Sequence, residues 1–261
     1  MSHGELYTIV TNKAAKGKKG AIVAVVAGTK AENVIEVLQK IPEKQRRKVN
    51  EITLDMAGNM ELIAKRCFRM ATRVTDRFHV QKLATEALQE MRIKYRWEAL
   101  DAENEALDAS KRNKTSFRAE VLSNGDTLKQ LLARSRYVLY KKPNNWSQDQ
   151  KERAELLFER YPDLRQAYNL SNIFEKTTDE LYGLARLAKW HESVRQSGFK
   201  AFNTISRSIK HHYETILNYF DNRSTNASAE SFNAKIKAFR SQFRGVKNIE
   251  FFLYRLSQMY A

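Results

Sequence analysis

The hydrophobic pattern changes character at Val80, and this change limits the possible folds more than any other feature of the chain. Before Val80, two helical patterns, at about 30–41 and 59–69, alternate with short β-like runs at residues 5–12, 20–28, 49–55 and 71–75. From Val80 onward, apolar residues recur at helical spacing, interrupted only by turn-forming residues at Asn124-Gly125, Pro143, Pro162 and Gly198. The chain therefore predicts an α/β part and a long, nearly strand-free helical part.

The order of the first elements is hairpin, helix, strand, helix and strand, which predicts a mixed α/β sheet. A last amphipathic helix at about 227–243 is expected to return to this sheet. We thus expect the N-terminal part of the sheet domain in residues 1–79, a helical insertion in residues 80–222, and C-terminal helices that complete the sheet domain in residues 223–261.

The charge balance indicates a polyanionic partner. Lys and Arg number 46 against 30 Asp and Glu, which gives a formal net charge of +16. Such an excess is typical of proteins that displace counterions from nucleic acid, although a basic protein can also use its charge simply to stay dispersed. The single cysteine, Cys67, excludes an intramolecular disulfide and a cysteine-based zinc site. The sequence shows no signal peptide or membrane-spanning run, so we expect a soluble cytoplasmic protein without membrane contact.

Asp55 ends a β-branched apolar run in the string EITLDMAGN. In an α/β sheet, functional groups lie beyond the carboxyl ends of the strands, and a carboxylate there can bind Mg²⁺. The alternative role is capping of the following helix, which is equally compatible with Asp.

Glu230 lies near the start of the last amphipathic helix. Its apolar stripe comprises Phe232, Ile236, Phe239 and Phe243. Each residue turns the helix by about 100°, so four polar residues lie within about 60° of one another on a second face: Glu230, Asn233, Lys237 and Arg244. The stripe predicts packing, and the second face either presents a carboxylate among amide and cationic groups or is an ordinary solvated face with Glu near the helix N-terminus.

The string DRFHV follows a predicted strand and opens a long helix. Asp76 can cap that helix, while His79 can reach back to a carboxylate or a phosphate. The remaining histidines of the helical part, His191 and the pair His211-His212, have no acidic residue at metal-ligand spacing in the sequence and are expected to be surface or core residues.

Two strings resemble the transposases of bacterial insertion sequences that use the DDE triad, specifically the ISL-type group: LDMAGNMELIAKRCFRMATRVTDRFHVQKLATEAL and NASAESFNAKIKAFRSQFRGVKNIEFFLYRL. The resemblance spans nearly the whole chain. It implies a ribonuclease H-like fold in which Asp55 and Glu230 are catalytic carboxylates that bind Mg²⁺ (or Mn²⁺), and in which His79 assists them. Asp76 and Asn233 would support this site.

The resemblance also implies a partner and a location. The substrate would be double-stranded DNA at transposon ends, in the bacterial cytoplasm and at the nucleoid, and a homodimer is compatible with it. Basic residues of the last helix and the loop after it would contact the DNA backbone, namely Lys237, Arg240, Arg244 and Lys247.

One feature of the group is missing from the sequence. The first strand of the ribonuclease H-like sheet, which carries the first Asp, is expected before the hairpin at residues 5–28, and Glu5 lies too early in the second strand to replace it. We therefore expect a C-terminal catalytic-domain fragment that is inactive as it stands. The alternative is a non-catalytic DNA-binding or oligomerisation module that regulates an intact transposase.

Overall fold

The computed structural model describes residues 6–172, 180–242 and 248–261. The chain divides into two compact units. The first unit comprises the described residues up to His79 and from His212 onward, and the second comprises those from Val80 to His211. The boundaries predicted from the sequence place the end of the helical insertion later, at residue 222.

Four strands belong to the first unit. Strand β1 (Tyr7–Thr11) pairs antiparallel with β2 (Ile22–Ala27), and the register shifts between Val10 and Thr11. Strand β3 (Glu51–Leu54) pairs in parallel with β4 (Thr72–Thr75), in a register that runs from Glu51↔Thr72 to Leu54↔Thr75. The predicted single mixed sheet is thus two separate two-stranded sheets within the described residues, because no described strand joins the two pairs.

The helices follow the predicted order. They are α1 (Ala31–Gln39), α2 (Glu43–Arg46), α3 (Gly58–Cys67), α4 (Arg77–Arg112), α5 (Leu128–Leu139), α6 (Gln148–Arg160), α7 (Pro162–Ser171), α8 (Glu180–Ser197), α9 (Lys200–His211), α10 (Tyr213–Leu217), α11 (Tyr219–Asn222), α12 (Ala227–Gln242) and α13 (Ile249–Tyr260). Short 3₁₀ turns lie at Lys13–Ala15 and Pro143–Asn145. No described helix has the length and apolar character needed to cross a membrane.

Two hydrophobic clusters hold the first unit together. The first joins β2, α1 and α3 through Val26, Ala31, Val34, Leu38, Ile63 and Cys67. The second joins the β1–β2 hairpin to α12 and α13 through Ala21, Ile22, Phe232, Phe252 and Leu256. Ile236 and Phe239 pack against this second cluster, which confirms the predicted stripe of α12 for its described members, while Phe243 lies outside the described residues.

The second unit is helical, as predicted for this stretch. Its described residues contain helices, one 3₁₀ turn and a single isolated bridge between Val121 and Thr127. Helix α6 begins with a capping box, since the Gln150 N–H donates to Ser147 Oγ (3.4 Å) and the Ser147 N–H donates to Gln150 Oε1 (3.2 Å). Apolar helix faces fill the core, with Leu131, Leu132, Leu157, Leu164, Phe202 and Ile209 fully enclosed.

Candidate metal centre

Asp55 and Asp76 leave the parallel strand pair at the same edge. Asp55 follows Leu54 and Asp76 follows Thr75, and Leu54 and Thr75 are register partners. The Asp76 N–H donates to the Leu54 carbonyl (3.0 Å), so the ladder extends to the residue that carries the carboxylate. Because parallel strands end side by side, the two acidic residues occupy neighbouring positions beyond the sheet.

Both carboxylates orient the backbone that follows them. Asp55 Oδ1 accepts a hydrogen bond from the Ala57 N–H (2.9 Å), and Asp76 Oδ1 accepts one from the Phe78 N–H (3.1 Å). These are turns in which the side chain accepts from the residue two positions on, and each precedes a helix. The predicted capping role of Asp76 is therefore present in this form, and Asp55 has the same arrangement before α3.

Three ligand-bearing side chains converge in the first unit. Asp76, His79 and Glu230 each offer one ligand atom, and these atoms all lie within 4.8 Å of one another. Asp76 is buried, His79 is half-buried and Glu230 is exposed, so the group opens to solvent on the Glu230 side. Asp55 is not a member of this group. The sequence predicted Glu230 with Asp55 as ligands and assigned Asp76 a supporting role, whereas the structure brings Asp76 itself next to Glu230.

Buried polar contacts fix the end of β4. The hydroxyls of Thr75 and Thr215 lie 2.7 Å apart, and both residues are buried. The Asn218 side-chain amide donates to the Arg73 carbonyl (2.9 Å). These two contacts tie β4 to α10 and to the residue between α10 and α11, so the position of Asp76 is set by packing rather than by an exposed loop.

Helix α12 brings Glu230 to this place from a distant part of the sequence. Glu230 lies in the first turn of α12, and the same helix buries Phe232 to 2% exposure in the core beside the hairpin. Lys235 of α12 also donates to the Gly17 carbonyl in the hairpin loop (3.4 Å). The hydrophobic stripe thus anchors the helix, and its polar face delivers the carboxylate.

The donor set fits a hard divalent cation. Two carboxylate oxygens suit Mg²⁺ or Mn²⁺, and an imidazole nitrogen is acceptable to Mn²⁺ and to softer metals. The mutual spacing of the three donor atoms is compatible with ligands that share one ion at metal–oxygen distances of about 2.0–2.1 Å.

The residues predicted to contact DNA lie only partly within the described chain. Lys237 and Arg240 are exposed on α12, and the Arg240 guanidinium lies 5.5 Å from the centre of the Phe252 ring. Asn233 is exposed on the same helix. Arg244 and Lys247 lie outside the described residues, so their positions remain predictions.

The sequence did not predict a contact between His212 and the acidic residue Glu61. His212 Nδ1 lies 3.7 Å from Glu61 Oε2, although no acidic residue lies at metal-ligand spacing from His212 in the sequence. The hydrogen bond from Lys65 is the main reason that the pKa of Glu61 is lowered, and the charges of His212 and Arg73 add to it against the effect of burial. The contact joins α3 to the residue before α10, a tertiary pairing that sequence spacing does not reveal.

Two carboxylates and an imidazole thus lie close together in the mixed α/β unit of a basic chain. Oxygen and nitrogen donors of this kind can bind a divalent cation. A family model for transposases of the DDE type, ISL3 group, matches residues 1–256, and the chain belongs to this transposase family. Searches of curated proteins and of solved structures each found no significant match.

Proposed function

We propose that the chain is the catalytic domain of an insertion-sequence transposase, which cleaves DNA and joins its strands with the help of Mg²⁺ or Mn²⁺. The observation that carries this proposal is the convergence of Asp76, His79 and Glu230 within a member of the transposase family. Asp76 and His79 are neighbours at the start of α4, whereas Glu230 comes from α12, so the group depends on the tertiary packing of the first unit.

Asp76 and Glu230 would hold the metal, with His79 as a third donor and Asp55 at the neighbouring strand end as a further carboxylate. A bound divalent cation polarises a phosphate oxygen and lowers the pKa of a bound water or hydroxyl. The Phe78 N–H holds one oxygen of Asp76 in place and leaves the other for ligation. Exposed Glu230 faces the side from which a substrate can approach, and His79 can donate a hydrogen bond to a phosphate oxygen.

The basic face of α12 would position the substrate. Lys237 and Arg240 supply positive charge on the helix that carries Glu230, and Arg244 and Lys247 follow them in the sequence. Such contacts to phosphates fix the register of DNA without reading its bases. The proposed substrate is double-stranded DNA at transposon ends in the bacterial cytoplasm, at the nucleoid, with a homodimer as the proposed assembly.

We also infer a ribonuclease H-like arrangement of the first unit. Within the described residues, an antiparallel hairpin followed by a helix and a parallel strand pair has the element order that follows the first strand of that fold. A further strand hydrogen-bonded to both β1 and β3 would join the two small sheets into one. An experimental structure with the two pairs far apart would contradict this arrangement.

Metal binding tests the site directly. Titration of Mn²⁺, followed by electron paramagnetic resonance, should give one tight site in the wild-type protein and at least about tenfold weaker binding in the Asp76→Asn and Glu230→Gln variants, because each loses a charged oxygen ligand. Ser231→Ala, an exposed change on the same helix next to Glu230 and at a residue with no proposed role in the site, is the matched control and should bind Mn²⁺ normally. Unchanged affinity in both ligand variants would refute the proposed site, and Asp55→Asn tests the remaining carboxylate.

Cleavage of a DNA duplex that carries the transposon's ends tests the proposed activity. The sequence predicts that cleavage needs a further strand with an Asp ahead of these residues, so the duplex is incubated with residues 1–261 and with a protein extended by such a strand. Metal-dependent nicking should appear with the extended protein and should disappear when Asp76→Asn or Glu230→Gln is introduced into it. Robust cleavage by residues 1–261 alone would contradict the expectation that the added strand and its Asp are needed. DNA binding without cleavage, even after that strand is supplied, would favour the alternative of a non-catalytic module that regulates an intact transposase.

A further inference from the structure

Arg92 is a buried charge without an anionic partner in the part of the chain that the structure describes. It lies on α4 in the helical unit and is only 5% exposed. Its Nε donates to Gln89 Oε1 (2.7 Å) and its Nη1 donates to the Leu132 carbonyl (2.7 Å), which are both neutral acceptors. Burial of a charge is costly unless an opposite charge compensates it, so this arrangement calls for an anion from elsewhere.

Two further arginines, Arg96 and Arg136, add positive charge near Arg92. Arg96 follows one helical turn later on α4, and Arg136 lies on α5, the helix whose Leu132 carbonyl accepts from Arg92. Burial is the main reason that the pKa of Arg92 is lowered, and the charges of Arg96 and Arg136 lower it further. Both neighbours are exposed, and neither forms an ion pair with a described carboxylate.

Aromatic surface lies beside these charges. The Arg136 guanidinium lies 5.9 Å from the centre of the Tyr140 ring, and Tyr140 is 53% exposed. Trp97 and Tyr137, each next in sequence to one of the exposed arginines, are 60% and 65% exposed. Arginine and aromatic side chains in one surface region are typical of nucleic-acid contacts, since the arginines bind phosphate and the rings can stack on bases.

The sequence around Arg136 contains no internal counterion. Residues 127–148 include five Lys and Arg residues and no Asp or Glu. Outside this stretch, Glu103 pairs with Lys129 and Asp126 pairs with Arg134, whereas Arg136 forms no ion pair with a described carboxylate. The charge of Arg136 is therefore not neutralised by a described side chain.

We propose that Arg92, Arg96, Arg136 and Tyr140 form a phosphate-binding site for the DNA backbone, here called the arginine cluster, on the helical unit. The identity of the polyanion as DNA rests on the proposed function. Arginine suits this ligand because its planar guanidinium can present two parallel N–H donors to phosphate oxygens. The arginine cluster would be a DNA contact additional to the basic face of α12 and would hold the duplex without taking part in the chemistry.

The test compares two doubly substituted proteins that each lose two positive charges. Arg96→Gln with Arg136→Gln removes the two exposed arginines of the arginine cluster. Lys94→Gln with Lys111→Gln is the matched control, because both lysines are exposed residues of α4 that pair with Glu98 and Asp108. Affinity for a fluorescent duplex is measured by anisotropy across salt concentrations in the presence of EDTA, so that no metal contributes.

The arginine variant should show a smaller salt dependence, with the slope of log K against log salt reduced by about 1.8, that is about 0.9 for each lost phosphate contact. Its affinity at about 0.1 M salt should fall on the order of 50-fold, and the lysine control should change far less. Circular dichroism should be unchanged, since both arginines are exposed. Equal effects of the two variants, or none in the arginine variant while the wild type binds DNA, would overturn the arginine cluster alone. Failure of the wild type to bind DNA would overturn this proposal and the proposed function together.

Discussion

Asp126 contrasts with Arg92 at the scale of single residues. It is only 1% exposed, yet its carboxylate accepts hydrogen bonds from Arg153 Nε (3.0 Å), Arg134 Nη1 and Asn124 Nδ2 (3.1 Å). Burial alone would raise the pKa of Asp126, but the hydrogen bonds and charges of the two arginines outweigh it and lower the pKa. The buried charge of Asp126 is thus paired with two arginines, whereas the buried charge of Arg92 has no described anionic partner.

Replacement of Asp126 by Asn should lower the free energy of unfolding by about 3 kcal/mol, because it leaves the partly buried Arg153 without its counterion. Urea unfolding at neutral pH measures this change. The control is Asp108→Asn, whose partner Lys111 is exposed, and its effect should stay below about 1 kcal/mol. An effect of Asp126→Asn no larger than the control would show that the ion pairs contribute little.

The same carboxylate gives a pH dependence of known sign. Since its pKa is lower in the folded than in the unfolded state, the stabilisation is complete above the ordinary value of about 3.8 and is lost as the pH falls below it. The variant lacks this contribution and should lose less stability than the wild type over that acid range. A parallel decline of both proteins would contradict the assignment.

At the scale of elements, helix α12 links packing to the candidate site. Phe232 is 2% exposed in the core beside the hairpin and lies two residues after Glu230. The Phe232→Ala variant should be destabilised by about 3–5 kcal/mol and should bind Mn²⁺ more weakly, because loosening of the helix start displaces the carboxylate. Denaturation and Mn²⁺ titration are measured on the same preparations. Ser231→Ala, an exposed change at the neighbouring residue, is the comparison and should leave both quantities unchanged. Normal Mn²⁺ affinity in a destabilised Phe232→Ala protein would show that the packing of Phe232 does not control the metal site.

The elements also show what the sequence could predict. Periodicity was sufficient for the order of strands and helices, for the buried stripe of α12 and for the exposed face with Glu230, since these are local patterns. The partnership of Asp76 with Glu230 depends on the register of β3 with β4 and on the return of α12, which are long-range pairings. Asp76 also has the sequence context of a helix cap, so its proposed role as a metal ligand has no local signal.

At the scale of the whole molecule, the positive charge should determine how the protein binds DNA. The net charge of +16 comes from an excess of lysine and arginine, and the exposed members described on α12 and in the arginine cluster can contact phosphates. Binding that rests on phosphate contacts gains its free energy from released counterions, so it weakens steeply with salt and is nearly independent of sequence.

We therefore expect residues 1–261 to bind two DNA duplexes of equal length, one with the sequence of the transposon's end and one scrambled, with affinities that differ by less than about tenfold. Base-reading proteins typically discriminate by about a thousandfold or more, so the two modes are well separated. Competition experiments at several salt concentrations measure the ratio, and affinity for both duplexes should fall together as salt rises. A strong preference for the end sequence that persists at high salt would contradict this expectation. It would place base-reading residues within the chain, and the exposed aromatic side chains beside the arginine cluster would then be the first to substitute.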